Sequence, residues 1–190
     1  MKKAGTINIE NITSASNVKP FLQKIWDISQ HSWKNTLNSG IARSENRQKF
    51  YSDLTNIAGN NRWLSLWLLS KDQTPIAFEY HLKYKNKIYG LCSEFNKNYR
   101  NYSPGFVLDA HIVEKMFYNG VKEYDMGPTE DVYKMRWTDT VRQHRVMYIF
   151  NSNFLSKLLY LIEFNFLNHL SQFRLVIMLK NHPIEQARKA

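Results

Sequence analysis

Residues 98–105 read Asn-Tyr-Arg-Asn-Tyr-Ser-Pro-Gly, and they decide the fold because they separate a short strand from a helix within residues 88–137. Ser103 is of a type that caps helices, Pro104 fits the first helical position, and Gly120 fits just past a helix that runs to residue 119. Residues 121–126 then form a strand. The amides at the start of the helix therefore face a loop that carries Arg100, which is the arrangement of an anion-binding site.

The flanking sequence predicts an α/β (α+β) fold with a mixed, mainly antiparallel sheet and flanking helices. Apolar residues at spacings of three and four indicate helices over residues 19–36 and 47–58. Residues 63–69, 76–84 and 88–94 indicate three strands joined by short turns, hence an antiparallel meander. The helix before residues 121–126 is a crossover of the kind that joins parallel strands. Residues 141–150 indicate a further strand, residues 154–170 a helix, and a last helical stretch runs into a basic tail.

Two apolar patterns indicate which faces are buried. One face of the second strand carries Ile76, Phe78, Tyr80, Leu82 and Tyr84, and its other face carries Ala77, Glu79, His81 and Lys83. The predicted apolar stripe of the crossover helix consists of Phe106, Ala110, Val113 and Phe117.

Composition restricts the class of protein and its partners. The chain has 190 residues, 43% hydrophobic and 22% charged, which is typical of a globular protein. A formal net charge of +10 favours a polyanionic partner such as nucleic acid, an anionic membrane or a phosphate-bearing substrate; a solvated basic surface is the alternative. Cys92 is the only cysteine, which excludes an intramolecular disulfide and favours the cytoplasm. We find no secretory signal, and charged residues interrupt the apolar residues 154–179, which therefore do not predict a membrane span.

Five short segments, in a fixed order, resemble one acyltransferase family. They are Ser32-Trp33-Lys34, Pro75-Ile76-Ala77, Tyr102-Ser103-Pro104-Gly105, Tyr124-Asp125-Met126-Gly127, and Tyr133-Lys134 with Trp137 and Thr138. With the order of helices and strands, they resemble the GNAT acyltransferase superfamily, in the branch that includes CelD-type cellulose-biosynthesis proteins and FemAB-type peptidyltransferases. The resemblance covers residues 2–150.

The resemblance implies a GNAT-like domain over residues 1–190, with N-terminal helices in 1–61, the sheet and central helix in 62–150, and C-terminal helices in 151–190. It also implies that acyl-CoA pyrophosphate rests on the amides of the central helix and that no metal is required. Members of the branch usually have two tandem GNAT-like halves, so either an upstream half is missing or this is a one-domain relative. Residues 128–131 stand where the family often has another small residue, and only Arg100 and Gly105 match its usual phosphate motif.

Acyl transfer to an amine needs a base and a donor that stabilises the developing oxyanion. The candidate bases are Glu94, at the end of the strand that enters the phosphate loop, and Glu79 on the neighbouring strand; a solvated or salt-bridged carboxylate is the alternative for both. His81 shares the face of Glu79 and is a candidate for a base or for substrate binding; a structural histidine is the alternative. Tyr133 matches a tyrosine of the family, and the resemblance implies that it donates a proton to the departing thiolate; a packed tyrosine is the alternative.

The candidate residues for cofactor binding are Arg100, Ser103, Gly105, Phe106 and Lys134. Arg100 is close enough along the loop to hold phosphate oxygens with paired hydrogen bonds. Ser103, Gly105 and Phe106 contribute the cap and main-chain amides. The resemblance implies that Lys134 binds a phosphate or a carboxylate; a surface lysine is the alternative.

Other residues of the resembling segments receive mainly structural roles. Asp125 matches an aspartate of the family at the end of the parallel strand, where it either binds substrate or holds the loop through Lys134. We assign Trp33 and Lys34 to packing and Cys92 to a buried, unreactive position. No Asp, Glu or His cluster has the spacing of a metal site.

The predicted function is transfer of an acyl group from acyl-CoA (acetyl-CoA) to an amine by direct attack. The amine belongs to a small molecule or to a cell-envelope or polysaccharide precursor. Two alternatives stay open: an aminoacyl-tRNA donor, as in FemAB-type peptidyltransferases, and a non-catalytic GNAT-like half-module. A further hypothesis places the chain at the inner membrane surface through residues 154–170 and the basic residues Arg188 and Lys189, although an ordinary core helix is the stronger interpretation.

Overall fold

The structure, a computed structural model, describes residues 5–37, 39–128, 131–143, 145 and 147–166. The chain divides into two compact units, residues 1–141 and 142–190. The first unit holds a five-stranded sheet with helices on both faces. This confirms the predicted α/β class and the mixed, mainly antiparallel sheet, while the single-domain organisation stays a prediction.

The five strands lie in the sheet in the order in which they occur along the chain. They are β1 (Ile7–Ile12), β2 (Leu64–Lys71), β3 (Thr74–Tyr84), β4 (Lys87–Phe95) and β5 (Glu123–Asp125). The first four pair antiparallel, and β5 pairs parallel with β4, as the sequence predicts. β1 was not predicted, because a six-residue edge strand with several polar residues carries little periodic signal.

Among its described residues, the first unit contains four α-helices: α1 (Val18–Gln30), α2 (Trp33–Thr36), α3 (Glu45–Asn60) and α4 (Pro104–Tyr118). The prediction of one helix over residues 19–36 is therefore wrong. The break lies at Ser32, whose hydroxyl accepts a hydrogen bond from the Lys34 amide at 3.1 Å and whose backbone bridges to Asn96. A residue that caps the start of a new helix ends the preceding helix, even where the spacing of apolar residues continues across it.

The sheet is buried on both faces. α1 and α3 cover one face, in a core that includes Ile28, Leu66 and Phe78. α4 covers the other face, and its Leu108 and Ile112 pack in a second core. Because α4 lies there, the polar side of β3 is also buried, and the side chains that it carries are enclosed rather than solvated.

The C-terminal end of α4 follows the sequence prediction, whereas its start does not. Gly120 has φ +61°, and the amides of Gly120 and Val121 donate to carbonyls of the last helical turn at 3.1 and 3.0 Å, which is a Schellman ending. Ser103 has φ +47°, and its side chain makes no capping hydrogen bond. The predicted side-chain cap at Ser103 is wrong, since a capping side chain needs an extended backbone at that position.

The buried face of α4 also differs from the predicted stripe. Phe106 and Phe117 are 48% and 83% exposed, whereas Leu108, Ile112 and Met116 are buried. Both sets of residues have helical spacing. The position of the sheet selects between them, and the sequence period does not contain that information.

The second unit contains α5 (Phe154–Tyr160) and a π-helical turn (Leu161–Phe166). The predicted helix over residues 154–170 is thus present in its described part, and residues 167–170, the last helical stretch and the basic tail lie outside the described residues. No described residue of 141–150 belongs to a strand, so that prediction is wrong. Strand-forming side chains need a neighbouring strand, and here Met147 and Ile149 are exposed instead.

Within the part of the chain that the structure describes, every helix is too short or too polar to cross a bilayer.

The ladder between β4 and β5 is short, and this opens the sheet. It consists of the pairs Lys87↔Glu123, Ile88↔Tyr124 and Tyr89↔Asp125. The chain then turns at Gly127, which has φ +88° and donates its amide to the Asp125 carboxylate at 2.8 Å. Among the described residues, no strand pairs with β4 on this side beyond Tyr89, so its last six residues border a gap.

We expect Leu108→Ala to lower the free energy of unfolding by about 2–5 kcal/mol, because it leaves a cavity in the core between α4 and the sheet. Phe117→Ala serves as the matched control and is expected to change it by less than about 0.5 kcal/mol, since Phe117 is exposed. Urea denaturation measures both values. A larger loss for Phe117→Ala than for Leu108→Ala would show that the sequence-derived stripe is the buried one.

Candidate active site

A cavity of about 310 Å³ lies at the open end of β4 in the first unit. Its walls come from the start of α2, the strands β3 and β4, the start of α4, and residues 131–136. A second cavity, of about 160 Å³, lies between β4 and the chain that follows β5. Glu79, Ser93 and Tyr133 line both cavities, and we call the two together the cleft.

Glu79 stands at the centre of a buried polar cluster in the cleft. Its Oε2 accepts hydrogen bonds from His81 Nε2 at 2.9 Å and from the Tyr124 hydroxyl at 3.3 Å. The Tyr124 hydroxyl also lies 3.1 Å from His81 Nε2. Burial, and next the charge of Glu79, raise the pKa of Tyr124 well above its ordinary value, so it stays a hydrogen-bond donor. The structure thus brings the sequence candidates Glu79 and His81 into one cluster.

His81 has one ring nitrogen without a partner. Its Nδ1 is buried and makes no hydrogen bond to any residue that the structure describes. Because Nε2 faces the Glu79 carboxylate, the hydrogen of a neutral His81 belongs on Nε2, which leaves Nδ1 as an acceptor. His81 therefore orients Glu79 and lines the second, smaller cavity of the cleft.

Tyr133 lies at the junction of the two cavities, with 42% of its surface exposed. Burial of its hydroxyl, and then the nearby charge of Glu79, raise the pKa of Tyr133 to about 12. A tyrosine with this pKa keeps its proton at neutral pH. The arrangement allows Tyr133 to donate a proton inside the cleft, on the side that also holds Glu79.

Asp109 is a cleft residue that the sequence analysis missed, because it was hidden among the apolar residues of α4. It is 4% exposed, and its Oδ2 accepts a hydrogen bond from the Trp137 indole. Burial, and then the charge of Glu79, raise the pKa of Asp109 to about 7. A signal existed in the sequence, since Asp109 directly follows the buried Leu108 and interrupts an otherwise apolar helix face.

Glu94 lines the larger cavity but stands apart from the Glu79 cluster. It is buried, and its Oε1 accepts a hydrogen bond from the Ile41 amide at 2.9 Å. This contact ties the end of β4 to the loop between α2 and α3. The two candidate bases of the sequence analysis thus occupy different surroundings.

The start of α4 forms one end of the larger cavity. Gly105 and Phe106 line it, and the Phe106 ring stacks on Trp137 at 5.7 Å between ring centroids. Ser103 leaves the first amides of the helix without a side-chain cap. Arg100 is exposed in the short 3₁₀ helix (Lys97–Tyr102) that leads into α4. Of the sequence candidates for phosphate binding, Gly105 and Phe106 therefore line the larger cavity, whereas Arg100 and Ser103 precede them in the chain and line neither cavity.

Lys134 and Asp125 lie elsewhere. Lys134 is buried, and its Nζ lies 3.2 Å from the Asp131 carboxylate. Of the two cavities, it lines only the second, smaller one. Asp125 holds the turn after β5 by accepting the Gly127 amide and lines neither cavity. The structure does not bring Lys134 to the start of α4.

Trp33 and Lys34 are cleft residues rather than packing residues. Trp33 is 43% exposed and lines the larger cavity, so its assignment to the core is wrong. Lys34 donates from Nζ to the Ser93 carbonyl at 2.9 Å. α2 begins at Trp33 because of the Ser32 cap, and this turns both side chains toward the end of β4.

Burial raises the pKa of the Cys92 thiol to about 12, which is consistent with its predicted lack of reactivity.

The pKa of Asp109 has a consequence for stability. Because it is raised to about 7 in the fold from 3.8, the folded chain binds more protons than the unfolded chain between these values. Stability therefore falls as pH rises from about 4 to about 7, and the loss persists above pH 7. We expect the melting temperature of Asp109→Asn, relative to the wild type, to be several degrees higher at pH 8 than at pH 5.

Asp139→Asn removes an exposed carboxylate and is the control. Its melting temperature relative to the wild type is expected to stay constant over the same pH range. A constant difference for Asp109→Asn as well would contradict the raised pKa. Differential scanning calorimetry of the three proteins measures these shifts.

Comparison with known proteins gives the family and the fold. A family model described as acetyltransferase (GNAT) domain matches residues 2–135. A comparison with curated proteins found no match. A GNAT family acetyltransferase from Staphylococcus aureus subsp. aureus USA300_TCH1516 is similar in structure, with 11% identity, a TM-score of 0.54, and 76% of this chain and 99% of that chain covered.

Two further solved structures are similar. The aminoglycoside N-acetyltransferase AAC(6')-Iy in complex with CoA shares 11% identity and covers 80% of this chain and 99% of its own, with a TM-score of 0.51. The ribosomal-protein-S18-alanine N-acetyltransferase from Escherichia coli shares 14% identity at a TM-score of 0.45, and the alignment covers 61% of this chain and 63% of that enzyme. Since the family model covers more than half of the sequence, this chain belongs to the GNAT acetyltransferase domain family.

Proposed function

We propose that this protein is an acyl-CoA-dependent N-acyltransferase that moves an acyl group, such as acetyl, to an amine by direct attack. One observation carries the proposal: the gap beside β4 is lined by the buried Glu79 cluster and by Tyr133, and it opens toward the start of α4. A base, an acid and an anion-binding helix start therefore share one cleft.

The start of α4 fits the diphosphate of acyl-CoA. Its first amides have no side-chain cap, and Gly105 lets a ligand approach the main chain, because it has no side chain of its own. Arg100 precedes the helix by one short turn and adds a guanidinium, which binds phosphate oxygens in pairs. Acyl-CoA supplies an activated thioester carbonyl, and the chain places its own polar groups further along the same cleft.

Glu79 acts as the base in this proposal. His81 and Tyr124 hold its Oε2, which leaves Oε1 to accept a proton from the attacking nitrogen. As the new C–N bond forms and the C–S bond breaks, that nitrogen proton passes to Glu79. Tyr133 gives its hydroxyl proton to the departing sulfur, for which a pKa of about 12 keeps it protonated beforehand.

The other functional hypotheses remain proposals of lower rank. An aminoacyl-tRNA donor, as in FemAB-type enzymes, also brings phosphate, so the start of α4 suits it too. The buried Glu79 cluster argues against a non-catalytic half-module, because enclosing an ionisable group costs free energy that packing alone does not require. A cell-envelope acceptor, a cytoplasmic location and association with the membrane surface stay predictions.

We expect Arg100→Gln to weaken acetyl-CoA binding about tenfold, because it removes a charged donor to phosphate. Isothermal titration calorimetry measures the dissociation constant. Lys122→Gln is the control, since it removes one exposed positive charge at the opposite end of the β4–β5 ladder and is expected to leave binding within about twofold. If titration of the wild type with millimolar acetyl-CoA gives no heat of binding, acyl-CoA is not the donor.

We expect Glu79→Gln to lower kcat/KM for acetyl transfer by at least about a hundredfold, because an amide cannot accept the proton. The dissociation constant of acetyl-CoA is expected to stay the same, since Glu79 lies on β3 and not at the start of α4, where the diphosphate is proposed to bind. Thiol release from acetyl-CoA with an amine acceptor measures the rate. Glu114→Gln, an identical change at an exposed position of α4, is the control, and a Glu79→Gln variant as active as this control would remove Glu79 from the mechanism.

A further inference from the structure

Glu94 presents a buried carboxylate oxygen that lacks a partner. Its Oε1 is taken by the Ile41 amide at 2.9 Å, but Oε2 makes no hydrogen bond to any described residue. Glu94 is only 3% exposed, and it lines the larger cavity. A buried acceptor without a donor costs free energy, so a ligand that donates to Oε2 from this cavity is favoured.

The contact with Ile41 does not account for the negative charge. The loop that contains Ile41 is also held by Arg47, whose Nη1 donates to the carbonyls of Ser39 and Gly40 at 2.7 and 2.9 Å. A glutamine at position 94 offers the same accepting oxygen to the Ile41 amide. The unused Oε2 and its charge therefore point to something outside the loop.

Glu94 and Glu79 lie on opposite faces of the sheet. Glu94 is paired with Phe78, which packs in the core under α1 and α3, whereas Glu79 is paired with Ser93. Side chains of successive strand residues alternate between faces, and directly paired residues share one. Both carboxylates nevertheless line the larger cavity, because it wraps around the open edge of β4. One ligand at this edge is therefore in reach of both.

The larger cavity is lined by more carboxyl groups than basic side chains, although the chain is basic. The chain carries a formal net charge of +10, yet the larger cavity is lined by four carboxyl groups and two basic side chains. Of the basic side chains, Lys34 directs its Nζ to the Ser93 carbonyl, and Arg136 is exposed. Asp131 is paired with Lys134, and the raised pKa of Asp109 reduces its charge, so it is the buried Oε2 of Glu94 that favours a cationic ligand.

We infer that the acceptor carries two amino groups, a neutral one that attacks at the Glu79 end and a protonated one that binds Glu94 Oε2. This inference rests on the proposed function and names its substrate class, a diamine. The half-exposed Trp33 ring provides a wall for the carbon chain, and the Lys34 ammonium lies 5.7 Å from the centre of that ring. Glu94 then acts in specificity rather than as the base.

The experiment compares two matched pairs of acceptors. The first pair is 1,4-diaminobutane and 1-aminobutane, and the second is glycyl-lysine amide and glycyl-norleucine amide, so each pair differs by one cation. We expect the wild type to prefer the dicationic member of at least one pair by about tenfold in kcat/KM. Glu94→Gln is expected to abolish this preference while it retains acetyl-CoA affinity, and Glu114→Gln is expected to keep it.

The outcomes separate the inference from the proposed function. A preference in the first pair identifies a small diamine, and one in the second identifies an amine-bearing peptide. Equal kcat/KM within both pairs in the wild type, or a preference that survives in Glu94→Gln, overturns the inference while acetyl transfer itself stands. If instead no acetyl-CoA binding or turnover occurs, calorimetry with 1,4-diaminobutane alone tests the cation site. Heat of binding that is present in the wild type and absent in Glu94→Gln supports the site, and the absence of this heat in the wild type overturns it.

Discussion

The early end of the ladder between β4 and β5 is the constraint on which the site depends. Parallel pairing stops at Tyr89 and Asp125. A methyl group at Gly90 would stand 3.4 Å from the Asp125 carbonyl oxygen, and one at Gly127 would stand 3.5 Å from the Gly90 carbonyl oxygen. These are ordinary van der Waals distances, so the approach itself does not require glycine; the left-handed turn at Gly127 does, and it directs the chain away from β4. The cleft exists because the sheet is not completed beyond this point.

The open edge gives the cleft access to both faces of the sheet. On one face, α4 encloses Glu79 with His81 and Tyr124, and the burial raises the pKa of the tyrosine. On the other face, Glu94 lies beside the loop after α2. In our proposal, the phosphate-bearing donor approaches from the start of α4 and the amine from the side of α2, so that they meet beside Ser93. The positive net charge then favours the phosphate-bearing donor, and the unpartnered Oε2 of Glu94 favours the amine.

Much of the fold could be predicted because its signals are local. The three central strands have turns between them, and α4 has a proline at its start and a glycine at its end. The errors occurred where a local pattern was compatible with two arrangements. α4 has two faces of helical spacing, and the sheet buries Leu108 and Ile112 rather than Phe106 and Phe117. Residues 141–150 have the composition of a strand but, in their described part, no neighbouring strand.

The sequence by itself determined the meander, the crossover helix and the identity of Glu79 and His81 as a pair on one face of β3, since these depend on residue order and on periods of two and four. The family followed from the resemblance of five ordered segments, which the family model bears out. Only the tertiary structure decided that this face is buried, that Asp109 and Tyr124 join it, and that Glu94 faces a separate part of the cavity. The physical reason is that burial and the pKa shifts it causes arise from elements distant in sequence, here α4 and the segment after β5, whose approach to β3 no local pattern encodes.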